Sequence, residues 1–320
     1  MPRKLILDVD TGTDDAVAIM LGALHPDLEL LAVTTVNGNV AVNFCTDNSL
    51  RVLDFIGRSE IPVYEGSRKP IVRNDSPIPR AERKATGIHV DVLPLPEATS
   101  RKQDRGAVEF LIETFRVARE EIVLIPVGPL TNIAAAIAAD PEFASNVPEL
   151  VIMGGAHYTG NVTPAAEFNI WADPEAAAIV FAAGFKKITL VPLDATFQAL
   201  VSSVEAKALE DLGTPAGIAA SRFIAQRIKG YDSTQPMTVI NSAPVHDAVC
   251  VAYLVRPDLL ETRSVHVEVE TQGIHTVGRT VIDVNNRSGL PPNCRVAFGA
   301  NKAIFIDMLM DVFKAQGAHS

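Results

Sequence analysis

The sequence predicts an α/β protein, a single domain spanning residues 1–320 with a mostly parallel sheet flanked by helices and a small β-hairpin near the C-terminal end. Three observations predict it. Short, wholly apolar runs alternate with helix-length amphipathic runs, a rhythm that needs crossover connections and buries both faces of a sheet. Apolar residues make up 48% of the chain, enough for a large core, and no linker, repeat or low-complexity tract divides it. Polar residues gather where the strands end, the edge at which open α/β sheets bind ligands.

The first elements lie in LILDVDTGTDDAVAIMLGAL, residues 5–24. Leu5-Ile6-Leu7 reads as a buried strand, Gly12 allows a tight exit, and residues 16–24 form a helix with Val17, Met20, Leu21 and Leu24 on its inner face. Between strand and helix stand four carboxylates, Asp8, Asp10, Asp14 and Asp15. Capping a helix needs one acid, and the others repel one another unless a cation neutralises them. Oxygen ligands at this density point to calcium or magnesium.

A second strand over 28–36 ends in Asn37-Gly38-Asn39, followed by a helix over 40–56 and a short strand over 61–64. Residues 65–105 are rich in Pro, Thr and charge without periodicity, and are expected to form a mobile loop over the site, carrying His89. The alternation then resumes, with helices expected over 107–119, 130–139 and 174–183 and strands over 121–127, 150–153 and 187–193. An amphipathic helix over 216–229 should give way to a polar turn through Tyr231 to Gln235, so residues 223–236 are expected to supply a second mobile loop. Another helix spans 248–255. Residues 264–269 and 276–284 alternate as a hairpin around Gln272-Gly273, and a last strand (295–298) leads into the closing helix (302–313).

A net charge of −10 argues against nucleic-acid binding and against an anionic membrane surface. Cys45, Cys250 and Cys294 are odd in number and widely spaced, as suits reduced thiols rather than a disulfide framework or a zinc site. Only three apolar residues separate Met1-Pro2-Arg3-Lys4 from Asp8, so no secretory leader is expected and a cytoplasmic location is.

Polar groups recur at strand ends in Asp8 to Asp15, Asn37 to Asn39, Gly128 to Asn132, Gly154 to Asn169, and Asp194. In a parallel sheet these ends share one edge and converge in one crevice. Asn161, Glu167 and Asn169 could bind hydroxyls there, and His246-Asp247 opens an apolar helix. In this order DVDTGTDDAVAIM, VNGNV, VGPLTNIAAA, MGG (Met153 to Gly155), GNVTPAAEFNIWADPEAA and APVHDAVCVAY make nearly the whole chain resemble the inosine-uridine-preferring nucleoside hydrolases.

That resemblance implies a Rossmann-like nucleoside hydrolase fold, a ribonucleoside substrate and an assembly of two or four identical chains. It further implies that Asp10, Asp15 and Asp247 ligate a calcium ion together with the main-chain carbonyl of Val127. Asp14, Asn169 and Asp247 would hold the ribose 2′- and 3′-hydroxyls, Asn161 and Glu167 the 5′-hydroxyl, and Asn39 and Met153 would line the pocket. His246 matches a histidine near the base, His89 a loop histidine of some subgroups, and Tyr231 is the counterpart of base-side tyrosines. After His89 the chain runs Val90-Asp91-Val92-Leu93-Pro94 in place of the family's glycine-rich turn, and Trp171 is expected in the core beside the sugar site.

The residues suit this chemistry on their own terms. Cleaving an N-glycosidic bond passes through a ribosyl cation attacked by water. A bound calcium would orient diol and water together, Asp10 would take the water's proton, and His246 would protonate the leaving base. Two competing readings are a phosphatase with Asp8 as nucleophile, after LILDVDTG, and a non-catalytic calcium-dependent nucleoside binder.

Overall fold

The alternation of strands and helices closes into a nine-stranded sheet with the order β10-β9-β11-β6-β5-β4-β1-β2-β3, seen in a computed structural model that describes residues 2–82 and 86–316. The strands are β1 (Arg3–Val9), β2 (Leu28–Thr35), β3 (Val63–Glu65), β4 (Ile122–Pro126), β5 (Glu149–Met153), β6 (Ile188–Val191), β7 (Leu200–Ser202), β8 (Ser242–Pro244), β9 (Leu260–Val269), β10 (Thr280–Asp283) and β11 (Cys294–Ala300). From β3 across to β11 every neighbouring pair is parallel. The β9–β10 hairpin pairs antiparallel onto β11, so it extends the main sheet instead of standing apart. Strands β7 and β8 form a separate antiparallel pair that the sequence pattern did not reveal.

The helices are α1 (Thr13–Leu24), α2 (Val42–Phe55), α3 (Ala107–Val117), α4 (Thr131–Ala139), α5 (Phe143–Asn146), α6 (Phe168–Ala172), α7 (Pro174–Ala182), α8 (Leu193–Thr196), α9 (Ser203–Asp211), α10 (Pro215–Thr234), α11 (His246–Val255) and α12 (Lys302–Ala315). Both faces of the sheet are covered, which is why its strands read as unbroken apolar runs. Leu5, Leu7 and Val9 of β1 pack with α1, α10, α11 and α12 on one side. Ile6, Leu124 and Ile152 pack with α4 and α7 on the other. Trp171 is buried, as expected. The three cysteines are buried and unpaired, and no described helix is long and apolar enough to cross a membrane.

The chain moves outward from β1 through β2 to β3, then returns to place β4 on the other side of β1. This reversal opens a crevice at the carboxyl ends of β1 and β4.

One boundary needs correction. Residues 223–234 belong to α10 and are not a loop. Thr214 caps the helix by accepting the Gly217 N–H, Pro215 takes its first position, and buried Phe223, Ile224, Arg227, Ile228 and Tyr231 continue one inward stripe past Lys229. The described residues of the 65–105 stretch, in contrast, are irregular beyond β3 apart from a single 3₁₀ turn at Arg80–Glu82. Its residues 83–85 lie outside the described residues. Asn48 pins it by donating to the Asp91 carbonyl and accepting the Leu93 N–H, and Asp54 accepts the N–H groups of Thr99 and Ser100.

Candidate active site

At the end of β1 the four acids separate by function. Asp8 accepts hydrogen bonds from Thr34 Oγ1 at 2.5 Å and Asn132 Nδ2 at 2.7 Å, and burial pushes its carboxyl up to about 7. It is fully buried and braces the sheet edge, with no open face to offer a phosphoryl group. The phosphatase reading loses its nucleophile here.

The other three acids line the crevice with Asp247. Asp15 folds back over the exit from β1, its two oxygens accepting the N–H groups of Asp10 (3.1 Å) and Gly12 (2.9 Å). Asp10 Oδ2 accepts the Asn39 N–H at 2.6 Å. That contact is made possible by Gly38, where any side chain would collide with the Asp10 carboxylate. The turn is itself held from outside: Arg80, in the long loop, donates to the carbonyls of Gly38 and Asn39 and to Asn37 Oδ1. Asp247, on the first turn of α11, faces Asp14 and Asp15 on the first turn of α1, so two helix N-termini aim their positive ends at one place.

Asp14, Asp15 and Asp247 each bring an oxygen within 4.8 Å of the other two. Asp10 stands beside this trio, with its Oδ1 buried and lacking a hydrogen-bond partner. Burial, and then the charge of Asp15, drives Asp10 well above the usual carboxylate range. Burial, followed by its acidic neighbours with Asp14 first, raises Asp247 in the same way. Burial and Asp14 lift Asp15 to about 6. Asp14 is the exception: burial is the largest influence and opposes its ionisation, but the charge of Arg227, together with His89, His246 and a backbone hydrogen bond, holds it below the ordinary value. A buried, oxygen-only donor set with an orphaned carboxylate oxygen and several carboxyls frustrated by mutual repulsion fits a hard divalent cation.

Arg227 is the charged residue of the crevice that the sequence reading passed over. Its Nη1 lies 2.6 Å from Asp14 Oδ1, and the side chain is 1% exposed. The same nitrogen donates to Thr13 Oγ1 at 3.1 Å, and Nε donates to the Pro244 carbonyl at 2.7 Å. The one signal in the sequence was its phase. Arg227 falls four residues after Phe223 and four before Tyr231, on the stripe that faces the core.

Beside Arg227 lie Tyr231 and His246. Tyr231 Oη is 2.8 Å from His246 Nε2, and His246 Nδ1 is 2.7 Å from Thr196 Oγ1. Burial, and after it the Arg227 charge, hold the His246 ring down at about 3. The imidazole is therefore uncharged at neutral pH, where the sequence alone suggested a group poised to titrate. His89 reaches the N-terminus of α1, with Nδ1 3.4 Å from the Thr13 N–H and its ring against Gly12.

The remaining expected residues are present but occupied. Asn169 donates to the carbonyls of Val127 (2.6 Å) and Met153 (3.3 Å), which joins the ends of β4 and β5. Glu167 caps α6, accepting N–H groups from Gly155, Asn169 and Ile170, and burial raises it to about 7. Asn161 accepts the Phe168 N–H. Asp194, just past the end of β6, receives the N–H groups of His157 and Tyr158.

A family model for inosine-uridine preferring nucleoside hydrolase matches residues 5–307. The pyrimidine-specific ribonucleoside hydrolase RihA of Shewanella oneidensis is 39% identical over 312 residues, 97% of this chain and 96% of that protein. RihA of Photobacterium profundum is 38% identical over 312 residues, 97% and 98% of the two chains. Among solved structures, the purine-preferring ribonucleoside hydrolase from Gardnerella vaginalis superposes with a TM-score of 0.89 at 31% identity, covering 99% of this chain and all of that one. A plant nucleoside hydrolase does so with the same TM-score at 32% identity, covering 98% of this chain and 100% of that one. With its acid-lined crevice at the β1–β4 reversal and these matches along its length, the chain belongs to the inosine-uridine preferring nucleoside hydrolase family and is an N-glycosyl hydrolase of ribonucleosides.

Proposed function

We propose that this hydrolase is calcium-dependent and releases free base and ribose, with Asp10, Asp15, Asp247 and the Val127 carbonyl holding the ion. The observation that carries this reading is the convergence of Asp14, Asp15 and Asp247 within 4.8 Å, with the buried, unpartnered Oδ1 of Asp10 beside them. Val127 O already accepts from Asn169, but a carbonyl has a second lone pair. When bound, calcium would supply Lewis-acid contacts to the sugar diol and to the attacking water.

The residues of the chain do the rest. Asp10, held by the Asn39 N–H, accepts the proton of the attacking water. Asp14 and Asn169 receive the vicinal hydroxyls, with Asn39 and Met153 lining the sugar and Asn161 and Glu167 near its 5′-hydroxyl. The carboxylates around the anomeric carbon favour the positive charge that develops there. On the base side, His246 and Tyr231 are joined by a 2.8 Å hydrogen bond, and His89 belongs to the same side. Because His246 starts uncharged, it takes up a proton from solvent before it can pass one to the departing base.

The test is a turnover panel of uridine, cytidine, inosine and adenosine, scored for free base and ribose, before and after exhaustive chelation. Ribose should appear with native protein, vanish on chelation and return with calcium. Undiminished turnover after chelation would remove the metal from the reaction.

A further inference from the structure

Arg227 has no task in the reaction as just described, yet it is a fully buried cation in direct contact with the acid cluster. Burying a guanidinium is costly unless it is paired and its donors are satisfied. Here the pairing and the contacts of Nη1 and Nε come from groups that matter to the site. Its Nη1 meets Asp14 and Thr13 on the first turn of α1, and its Nε meets the Pro244 carbonyl, two residues before His246. The guanidinium carbon also lies 5.5 Å from the centroid of the Tyr231 ring. One side chain thus ties the start of α1 to the approach of α11, the two elements that carry Asp14, Asp15 and Asp247.

The geometric trio of converging acids includes Asp14. Left alone, Asp14 is as well placed as Asp15 or Asp247 to join a cation. It alone among them carries a buried counter-cation at ion-pair distance. We propose that Arg227 is a positioning residue that partitions the cluster: by engaging Asp14 it withholds that carboxylate from the metal and reserves it for a sugar hydroxyl of the nucleoside. This rests on the calcium reading above. It predicts an effect of unusual sign, because a residue with a merely structural role weakens a metal site when removed, whereas removing Arg227 should strengthen this one. The extra carboxylate and the missing positive charge both favour the cation.

The experiment is calorimetric titration of calcium into metal-stripped wild type, Arg227→Gln, Arg227→Lys and the charge-balanced pair Asp14→Asn with Arg227→Gln, alongside steady-state kinetics on a ribonucleoside. Arg227→Gln should bind calcium at least about tenfold tighter, as the loss of a nearby like charge implies. Its KM should rise by about the same factor while kcat falls less, because ground-state binding of the sugar is what Asp14 loses. Arg227→Lys should restore both values to within about threefold, since it keeps the charge though not the fork. The double variant covers the case in which Arg227→Gln does not fold, and it should bind calcium to within about fivefold of wild type, because no ligand has been lost. Calcium affinity that is unchanged or weaker in folded Arg227→Gln overturns the proposal. So does a loss of about a hundredfold or more in the double variant, which would make Asp14 a ligand. Wild type that binds no calcium would instead strike at the underlying reading.

Discussion

Gly38→Ala is a single-methyl test of how the site is held. A Cβ at Gly38 would sit 2.0 Å from Asp10 Oδ2 and 2.6 Å from its carboxyl carbon. An ordinary carbon–oxygen approach is about 3.3 Å or more, so the turn and the carboxylate have to part by roughly 1.3 Å. The turn cannot simply retreat, because Arg80 holds the carbonyls of Gly38 and Asn39 from behind. Asp10 therefore moves and loses the 2.6 Å bond from Asn39. A displacement of about 1 Å in a reacting group costs on the order of a hundredfold in rate, and losing a hydrogen bond to a charged group costs about 1.5–3 kcal/mol, the same range. We expect kcat/KM to fall about a hundredfold, with a stability loss of only about 1–3 kcal/mol from overpacking. Initial rates of base release and a thermal melt measure both. Gly57→Ala is the control: Gly57, unlike Gly38, has a left-handed backbone (φ 75°), but nothing lies within 4 Å, so it should cost stability and leave the rate alone. Adding Arg80→Ala to Gly38→Ala should cost less than the product of the two single losses, since it frees the turn to retreat. Gly38→Ala with kcat/KM within about threefold of wild type would falsify the idea that this turn positions Asp10.

Other expectations follow from the same geometry. In metal-stripped protein Asp15 sits at about 6 against an ordinary 3.8, and Glu167 at about 7 against 4.5, so the folded state keeps protons that the unfolded chain releases. Stability should therefore be greatest below about pH 4 for these groups and decline as pH rises to about 7, by about 3 kcal/mol for each. Melts of stripped protein that stay level or rise from pH 5 to pH 7.5 would contradict this, and saturating calcium, which needs the deprotonated acids, should reverse the trend. His246→Ala should slow cleavage of natural nucleosides by about 10²–10⁴-fold while sparing a nitrophenyl riboside whose leaving group needs no proton. Equal losses on both substrates would remove His246 as the source of that proton. Deoxyuridine should be a far poorer substrate than uridine, because a missing hydroxyl leaves buried acceptors unpaired; comparable kcat/KM values would refute diol recognition.

The sheet was legible because its strands are buried on both faces, leaving apolar runs with little ambiguity. The crevice was legible from Asp10, Asp14 and Asp15, since such acid density has few uses in a folded chain. Short elements escaped: α6 and α8 have five and four residues and no period to read. The polar residues of α6 look like loop formers until Glu167 is seen capping three N–H groups. Arg227 escaped for a different reason. On an amphipathic helix a cation is ordinarily solvated, and only the tertiary placement of Asp14 makes an inward arginine tolerable. The helix also outran its expected end because Gly230 and the polar Asp232-Ser233-Thr234 resemble a turn, while Tyr231 is anchored inside by His246.

The division of labour around the crevice bears on how such an enzyme can change over generations. On the proposed assignment the sugar-side acids rise from the end of β1 and from α1 and α11, deep in the sheet architecture, whereas the base-side His89 and Tyr231 belong to the long loop and to α10. Mutation can revise the loop and helix without rebuilding the reaction, and relatives described as pyrimidine-specific and as purine-preferring share this scaffold. Arg227 limits that freedom. It rides on the base-side helix but discharges onto a sugar-side acid, so a drift of α10 that suits a new base also disturbs Asp14. Lineages that alter this helix should be expected to change residues 14 and 227 together.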